Sequence, residues 1–160
     1  MGEWSDKEMK HLLIILSFLL LSSPVIGDNH KGEILYGWGK CCDFVWKGFG
    51  VKETHSKYTG DVGNGVPNGF GIMIFPNGNK YIGDWKDGKW NGQGTFTTSN
   101  GSKYEGELKN GERHGQGTHT YPDGSKYEGE YKDDWELNGT QYDKNGNIKY
   151  KYVNGKQIKQ

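Results

Sequence analysis

Beyond residue 57 the chain runs in short stretches, such as 70–75 and 95–98, that are too brief for helices. Turn dipeptides separate them: eleven Asn-Gly or Asp-Gly pairs, among them Asn77-Gly78, Asp87-Gly88, Asn100-Gly101 and Asp123-Gly124. These residue types tolerate the positive φ that tight hairpin turns require, so the pattern predicts consecutive β-hairpins. With a strand period of two, Tyr81, Gly83 and Trp85 share one face of a first strand. Gly94, Phe96 and Thr98 share a face of the second strand, as do Gly71, Met73 and Phe75 one hairpin earlier. Glycines on an aromatic-bearing face let rings lie flat over neighbouring backbone, which predicts a core of stacked aromatics. The opposite face carries Lys80, Ile82, Asp84 and Lys86, then Lys103, Glu105, Glu107 and Lys109. These ladders of alternating sign read as a solvated, self-compensating face; a docking surface for a charged partner is the alternative.

The hairpins repeat with a period of 23. Tyr58, Tyr81, Tyr104 and Tyr127 mark it, Tyr150 falls on the same beat, and each follows a lysine: Lys57, Lys80, Lys103, Lys126 and Lys149. Gly60, Gly83, Gly106 and Gly129 come two residues later, followed by the acids Asp61, Asp84, Glu107 and Glu130. In the first three units glycines also recur at Gly65, Gly88 and Gly111, at Gly69, Gly92 and Gly115, at Gly71, Gly94 and Gly117, and at Gly78, Gly101 and Gly124. The pattern Tyr-x-Gly-acid-x-x-x-Gly-x-x-x-Gly-x-Gly closely resembles the MORN repeat (membrane occupation and recognition nexus). Units 58–80, 81–103 and 104–126 match well. The fourth, 127–149, departs, with Asp134, Asn138 and Thr140 at glycine positions and Asn138-Gly139 displaced by one place. Residues 150–160 then read as a carboxyl-terminal cap or tail, and 28–57 as an aromatic-rich amino-terminal cap, with strands near 32–38 and 44–49 covering the first hairpin. A ligand-binding element lined by Trp38 and Trp46 is the alternative for that segment.

The resemblance implies an all-β fold: an elongated, twisted antiparallel sheet of consecutive hairpin repeats, a single layer with an aromatic and glycine core. Four hairpins give about eight strands, a sheet roughly 35–40 Å long. It also implies protein–protein contacts or homotypic assembly along the aromatic groove. Trp85, Trp90, Phe96, Tyr121, Tyr131 and Trp135 are the candidate partner-binding residues. The family name points to a second function, phospholipid head-group binding by the Lys57, Lys80, Lys103 and Lys126 ladder. Against it, acids accompany the lysines and weaken attraction to an anionic surface. Binding of a cell-surface glycan to exposed aromatics is a third possibility.

The start of the chain is different in kind. Residues 12–21 are apolar except for Ser17, follow Lys10, and lead into Ser22-Ser23-Pro24-Val25-Ile26-Gly27. This pattern predicts a secretory signal peptide over 1–27, with Val25 and Gly27 at the −3 and −1 positions of the cleavage. The apolar run is about half the ~20 residues a membrane span needs. Glu3, Asp6 and Glu8 are out of place in such a leader, which makes Met9 an alternative start of translation. The expectation is an exported protein, periplasmic or extracellular.

Composition then narrows the class. Glycine numbers 27 of 160 residues, against an ordinary usage of roughly 7%. After residue 27 only 19 of 133 residues are Leu, Ile, Val or Phe, while Trp, Tyr and Phe supply 20. That excludes an ordinary aliphatic-cored α/β enzyme domain. The near balance of charge, 20 basic against 20 acidic residues, argues against a nucleic-acid partner held by phosphate neutralisation.

Candidate chemistry is sparse. Cys41 and Cys42 are adjacent, and three readings stay open: a strained vicinal disulfide, a cross-link to another chain, or two reduced thiols. His114 and His119 stand five apart, on opposite faces of a regular strand, which makes a shared metal improbable. No triad, phosphate loop or calcium loop is legible. Asn100-Gly101-Ser102 and Asn138-Gly139-Thr140 are formal glycosylation sequons that also arise from turn chemistry. In some proteins such arrays precede a lipid kinase or methyltransferase domain, but only about ten residues follow this one. The chain therefore reads as non-enzymatic, with no cofactor and no metal.

Overall fold

The computed structural model describes residues 30–39 and 43–159. The leader expected at 1–27 and the Cys41-Cys42 pair lie outside the described residues. The chain forms β1 (His30–Trp38), β2 (Val45–Lys47), β3 (Ser56–Gly63), β4 (Val66–Ile74), β5 (Lys80–Lys86) and β6 (Lys89–Thr97). It continues with β7 (Lys103–Lys109), β8 (Glu112–Thr120), β9 (Lys126–Lys132), β10 (Trp135–Tyr142), β11 (Ile148–Val153) and β12 (Lys156–Lys159). All twelve join one antiparallel sheet in the order β12-β11-β10-β9-β8-β7-β6-β5-β4-β3-β1-β2. The eight strands expected from four hairpins are β3 to β10. The other four extend the array: β1 pairs with β3, β2 hangs on β1, and β11–β12 add a fifth hairpin at the far end.

Each repeat is built by the same physical sequence of events. Asn64, Asp87 and Asn110 take φ near +50°, and the glycine after each is also positive, as a two-residue hairpin turn demands. The fourth unit does this with Asp133 and Asp134, at φ 49° and 70°. Glycines face each other across each of the four repeat hairpins: Gly60 with Gly71, Gly83 with Gly94, Gly106 with Gly117, and Gly129 with Gly139. The repeat tyrosine lies on that pair, so a Cβ on Gly94 would fall under 3.0 Å from the Tyr81 ring. Its hydroxyl then donates to the carbonyl three residues on: Tyr58 to Asp61 at 2.6 Å, Tyr81 to Asp84 at 2.9 Å, Tyr104 to Glu107 at 2.8 Å and Tyr127 to Glu130 at 3.1 Å.

The repeat acid has a structural task. Register shifts follow Gly60, Gly83 and Gly106, where the second strand bulges. Asp61 accepts the Phe70 amide at 3.2 Å, Asp84 the Gln93 amide at 3.0 Å, and Glu107 the Gln116 amide at 3.3 Å. Gly69, Gly92 and Gly115 precede those amides with φ of 119°, 100° and 60°. In the fourth unit the bulge is one residue shorter, spanning Glu136 to Asn138. That deletion explains the displaced Asn138-Gly139: Gly139 still reaches its place under Tyr127.

The core is an aromatic ladder on the inner face. Seven of the eleven buried hydrophobic residues among those described are aromatic: Tyr58, Tyr81, Trp85, Trp90, Tyr104, Tyr127 and Tyr131. Contacts alternate within and between units. Trp85 packs edge-on against Tyr58 at 5.1 Å and Tyr81 at 5.3 Å, and Trp90 stacks on Tyr81 at 4.4 Å and 14°. Tyr131 packs against Tyr104 at 5.3 Å and Tyr127 at 5.1 Å, and Tyr152 closes the row on Tyr127. At the other end Trp46 of β2 reaches Tyr58 at 5.9 Å and Trp85 at 5.7 Å. The first hairpin therefore curls over the inner face of the first two units. Trp38 faces the other way, tilted against His55 at 3.8 Å and 46°, with Lys47 Nζ 4.4 Å from its ring. Trp38 and Trp46 thus stand on opposite faces of the β1–β2 pair, and β1 and β2 extend the sheet beyond β3.

Candidate functional site

The aromatic ladder breaks once, and a cavity opens there. Where the second unit places Trp85, Trp90 and Phe96, the third places Leu108, Arg113 and His119, 23 residues on. Leu108 is buried, but it is too small to repeat the wedge that Trp85 makes. Arg113 turns aside to Asp134 instead of stacking on the repeat tyrosine as Trp90 does. The result is a cavity of about 480 Å³ on the inner face. Trp90, Phe96, Tyr104 and Leu108 give it an apolar lining, and Arg113, His119, Asn100, Ser102 and Asp134 a polar one; Arg113 and His119 are the cross-strand neighbours of Leu108 and Tyr104.

The polar side is ordered by short contacts. Arg113 Nε donates to Asp134 Oδ1 at 3.0 Å, and Nη2 donates to the Asp134 carbonyl at 2.7 Å. The guanidinium lies 5.0 Å from the Tyr131 ring centre and 5.9 Å from that of Tyr104. His119 Nε2 is 2.7 Å from Ser102 Oγ, and its ring packs on Tyr121 at 4.4 Å. Burial, and next the positive charge of Arg113, hold His119 below its ordinary value of 6.5. Tyr121 donates to Glu136 at 3.1 Å, and burial with that carboxylate pushes its hydroxyl up to about 12. Tyr104 is also pushed up to about 12, chiefly by burial. His119 contacts a hydroxyl but no carboxylate, and no group of three or more metal-ligating side chains occurs among the described residues.

The six expected partner-binding aromatics divide. Trp85, Trp90 and Tyr131 are buried in the ladder, Phe96 and Tyr121 are half-buried, and Trp135 is 78% exposed at the tip of the β9–β10 hairpin. Only Trp90 and Phe96 of the six border the cavity. Arg113, Ser102 and Asp134 were not among the site residues expected from the sequence. The signal was present, since Arg113 is the only arginine of the chain and stands 23 residues after Trp90, at the same repeat position.

The outer face carries the lysine row. Lys57, Lys80, Lys103 and Lys126 are joined across the sheet through Ile74, Thr97 and Thr120. Lys103 pairs with Glu105 at 2.7 Å and Lys126 with Glu128 at 2.5 Å, so compensation is realised in the third and fourth units. In the first two units Thr59 and Ile82 hold the equivalent places. There the face is apolar, with Ile34, Ile72, Ile74 and Phe70 exposed.

Comparison with curated proteins finds no match. Residues 58–80, 81–103 and 104–126 each match the MORN repeat family, which is not an enzyme family and whose repeats commonly bind proteins or membrane lipids. These three consecutive matches to the MORN repeat coincide with the hairpins β3–β4, β5–β6 and β7–β8 together with the turns that follow them.

Proposed function

We propose that the protein is an exported, non-enzymatic binding or scaffold module that engages a partner protein, or a second copy of itself, through the inner face of its sheet. The observation that carries this reading is the cavity between the second and fourth units, where the ladder stops filling its own space. Cores that close on themselves leave few voids, and clefts with apolar walls and a few convergent polar groups are the usual form of a binding site. Cross-linking and light scattering of the full chain, with capture of partners in its native compartment, test the reading. Capture that Phe96→Glu abolishes is the expected result. A strict monomer that captures nothing would overturn it.

A second reading has its own support. Lys57 and Lys80, beside the exposed Ile72, Ile74 and Phe70, combine charge and apolar surface as an anionic phospholipid surface would require. Sedimentation with anionic liposomes across a salt series tests it, and absence of pelleting at low salt would remove it. The glycan reading has less support, because Trp90 is buried against Tyr81 and offers little ring face. Export is tested by amino-terminal sequencing of the secreted chain, which is expected to begin at Asp28.

A further inference from the structure

The cavity combines features that a purely structural ion pair does not need. A guanidinium has five N–H donors in a planar fork, and the two bonds to Asp134 occupy two of them. The rings of Tyr131 and Tyr104 lie beside it, 5.0 and 5.9 Å from the guanidinium carbon. Three donors are left over at the boundary of a space also lined by Trp90, Phe96 and Leu108, the last being the cross-strand neighbour of Arg113. Every other cation of the chain, apart from histidine, is a lysine. Arginine differs from lysine in presenting paired, coplanar donors that match the two oxygens of a carboxylate.

We propose that this cavity binds a ligand carrying one carboxylate on a compact apolar body, the carboxylate on the free edge of Arg113 and the body against Trp90, Phe96 and Leu108. A single negative charge is favoured over a phosphate dianion, because Asp134 already sits on the guanidinium and would repel the second charge. His119 and Ser102, 2.7 Å apart, add polar lining to the same cavity. This inference rests on the reading of the inner face as the binding face, and it names the chemistry of that face. Two sources share the chemistry: a small hydrophobic acid, and the carboxyl terminus of a polypeptide ending in an apolar residue.

The test is calorimetric titration of the full chain with matched probes. One pair is 3-phenylpropanoate and 3-phenylpropanamide; the other is acetyl-glycyl-glycyl-phenylalanine as free acid and as amide. In at least one pair the acid is expected to bind tenfold or more tightly than its amide. Arg113→Lys is expected to weaken the acid at least fivefold while leaving the amide unchanged. Binding of the small acid alone or of the peptide acid alone separates the two sources, binding of both shows that the site accepts either, and each of these outcomes supports the site. Equal binding of acid and amide, or binding of neither, overturns it; the comparison on the unaltered chain does not depend on any variant folding. A partner lost on Phe96→Glu, with no preference for acids, would sink this proposal and leave the binding-module reading standing. Acid-selective binding by a chain that captures no protein would do the reverse.

Discussion

The glycines under the tyrosine rings show how much a single hydrogen atom decides. A methyl group on Gly94 would collide with a ring that is held at its far end by the bond from its hydroxyl to Asp84. Gly94→Ala is therefore expected to destabilise the fold by about 1–3 kcal/mol, the usual cost of overpacking. Gly48, which has open space where a Cβ would stand, is the control, and its alanine variant should fall within about 0.5 kcal/mol of the parent in a urea titration. Protonation acts at the same scale. The folded state holds His119 below 6.5, so below that pH the unfolded chain binds more protons and stability falls as pH falls. His119→Gln should flatten the acid limb of a melting-temperature profile between about pH 6.5 and 5. The buried tyrosines act at the other limb, because Tyr104 and Tyr121 are raised to about 12. Their stabilising contribution is whole below the ordinary value near 10 and is lost as pH rises from about 10 to 12.

At the scale of the element, the hairpin is legible from its turns, but its bulge is not. The acid of the Tyr-x-Gly-acid motif looks in sequence like part of a charge ladder, whereas its carboxylate satisfies the backbone amide that the bulge frees. Asp84→Ala should accordingly cost about 1–3 kcal/mol, the penalty of an unpaired amide, rather than the few tenths of a surface charge. Faster amide exchange at Gln93 than at Gln116 in that variant would locate the effect, and unchanged exchange would refute the assignment. The fifth hairpin was hidden for a related reason. Tyr150-Lys151-Tyr152 lacks the glycine of the motif, yet Tyr152 pairs with Gly139 and its ring closes the ladder on Tyr127. A cap needs the ring but not the next repeat, so the motif is incomplete where the structure is complete.

At the scale of the whole molecule the two faces have different fates along the array. Inside, the ladder is continuous through the second unit, opens at the third, and resumes at the fourth. Outside, the first two units expose isoleucine and phenylalanine, and the last two carry paired Lys-Glu side chains. A phospholipid surface would therefore be met by the amino-terminal half. Ile72→Glu is expected to abolish liposome sedimentation if the outer face is used, while Glu128→Ala leaves it unchanged. Sedimentation indifferent to Ile72 would exclude that half as the contact.

Fold class, repeat boundaries and the aromatic character of the core follow from the sequence alone, because a 23-residue period with Asn-Gly and Asp-Gly turns allows few arrangements other than stacked hairpins. Tertiary structure decided which aromatics remain available, since strand parity puts Trp85, Trp90 and Phe96 on one face but only packing against the next unit determines what is covered. It also decided the place of the cavity. Arg113 reads in sequence as one more cation, and becomes part of a site only because the fold sets it against Asp134, 21 residues away, in a cavity that Trp90 and Phe96 of the preceding repeat also line. Local periodicity specifies the scaffold; the departures from it acquire meaning through neighbours that the chain alone does not bring together.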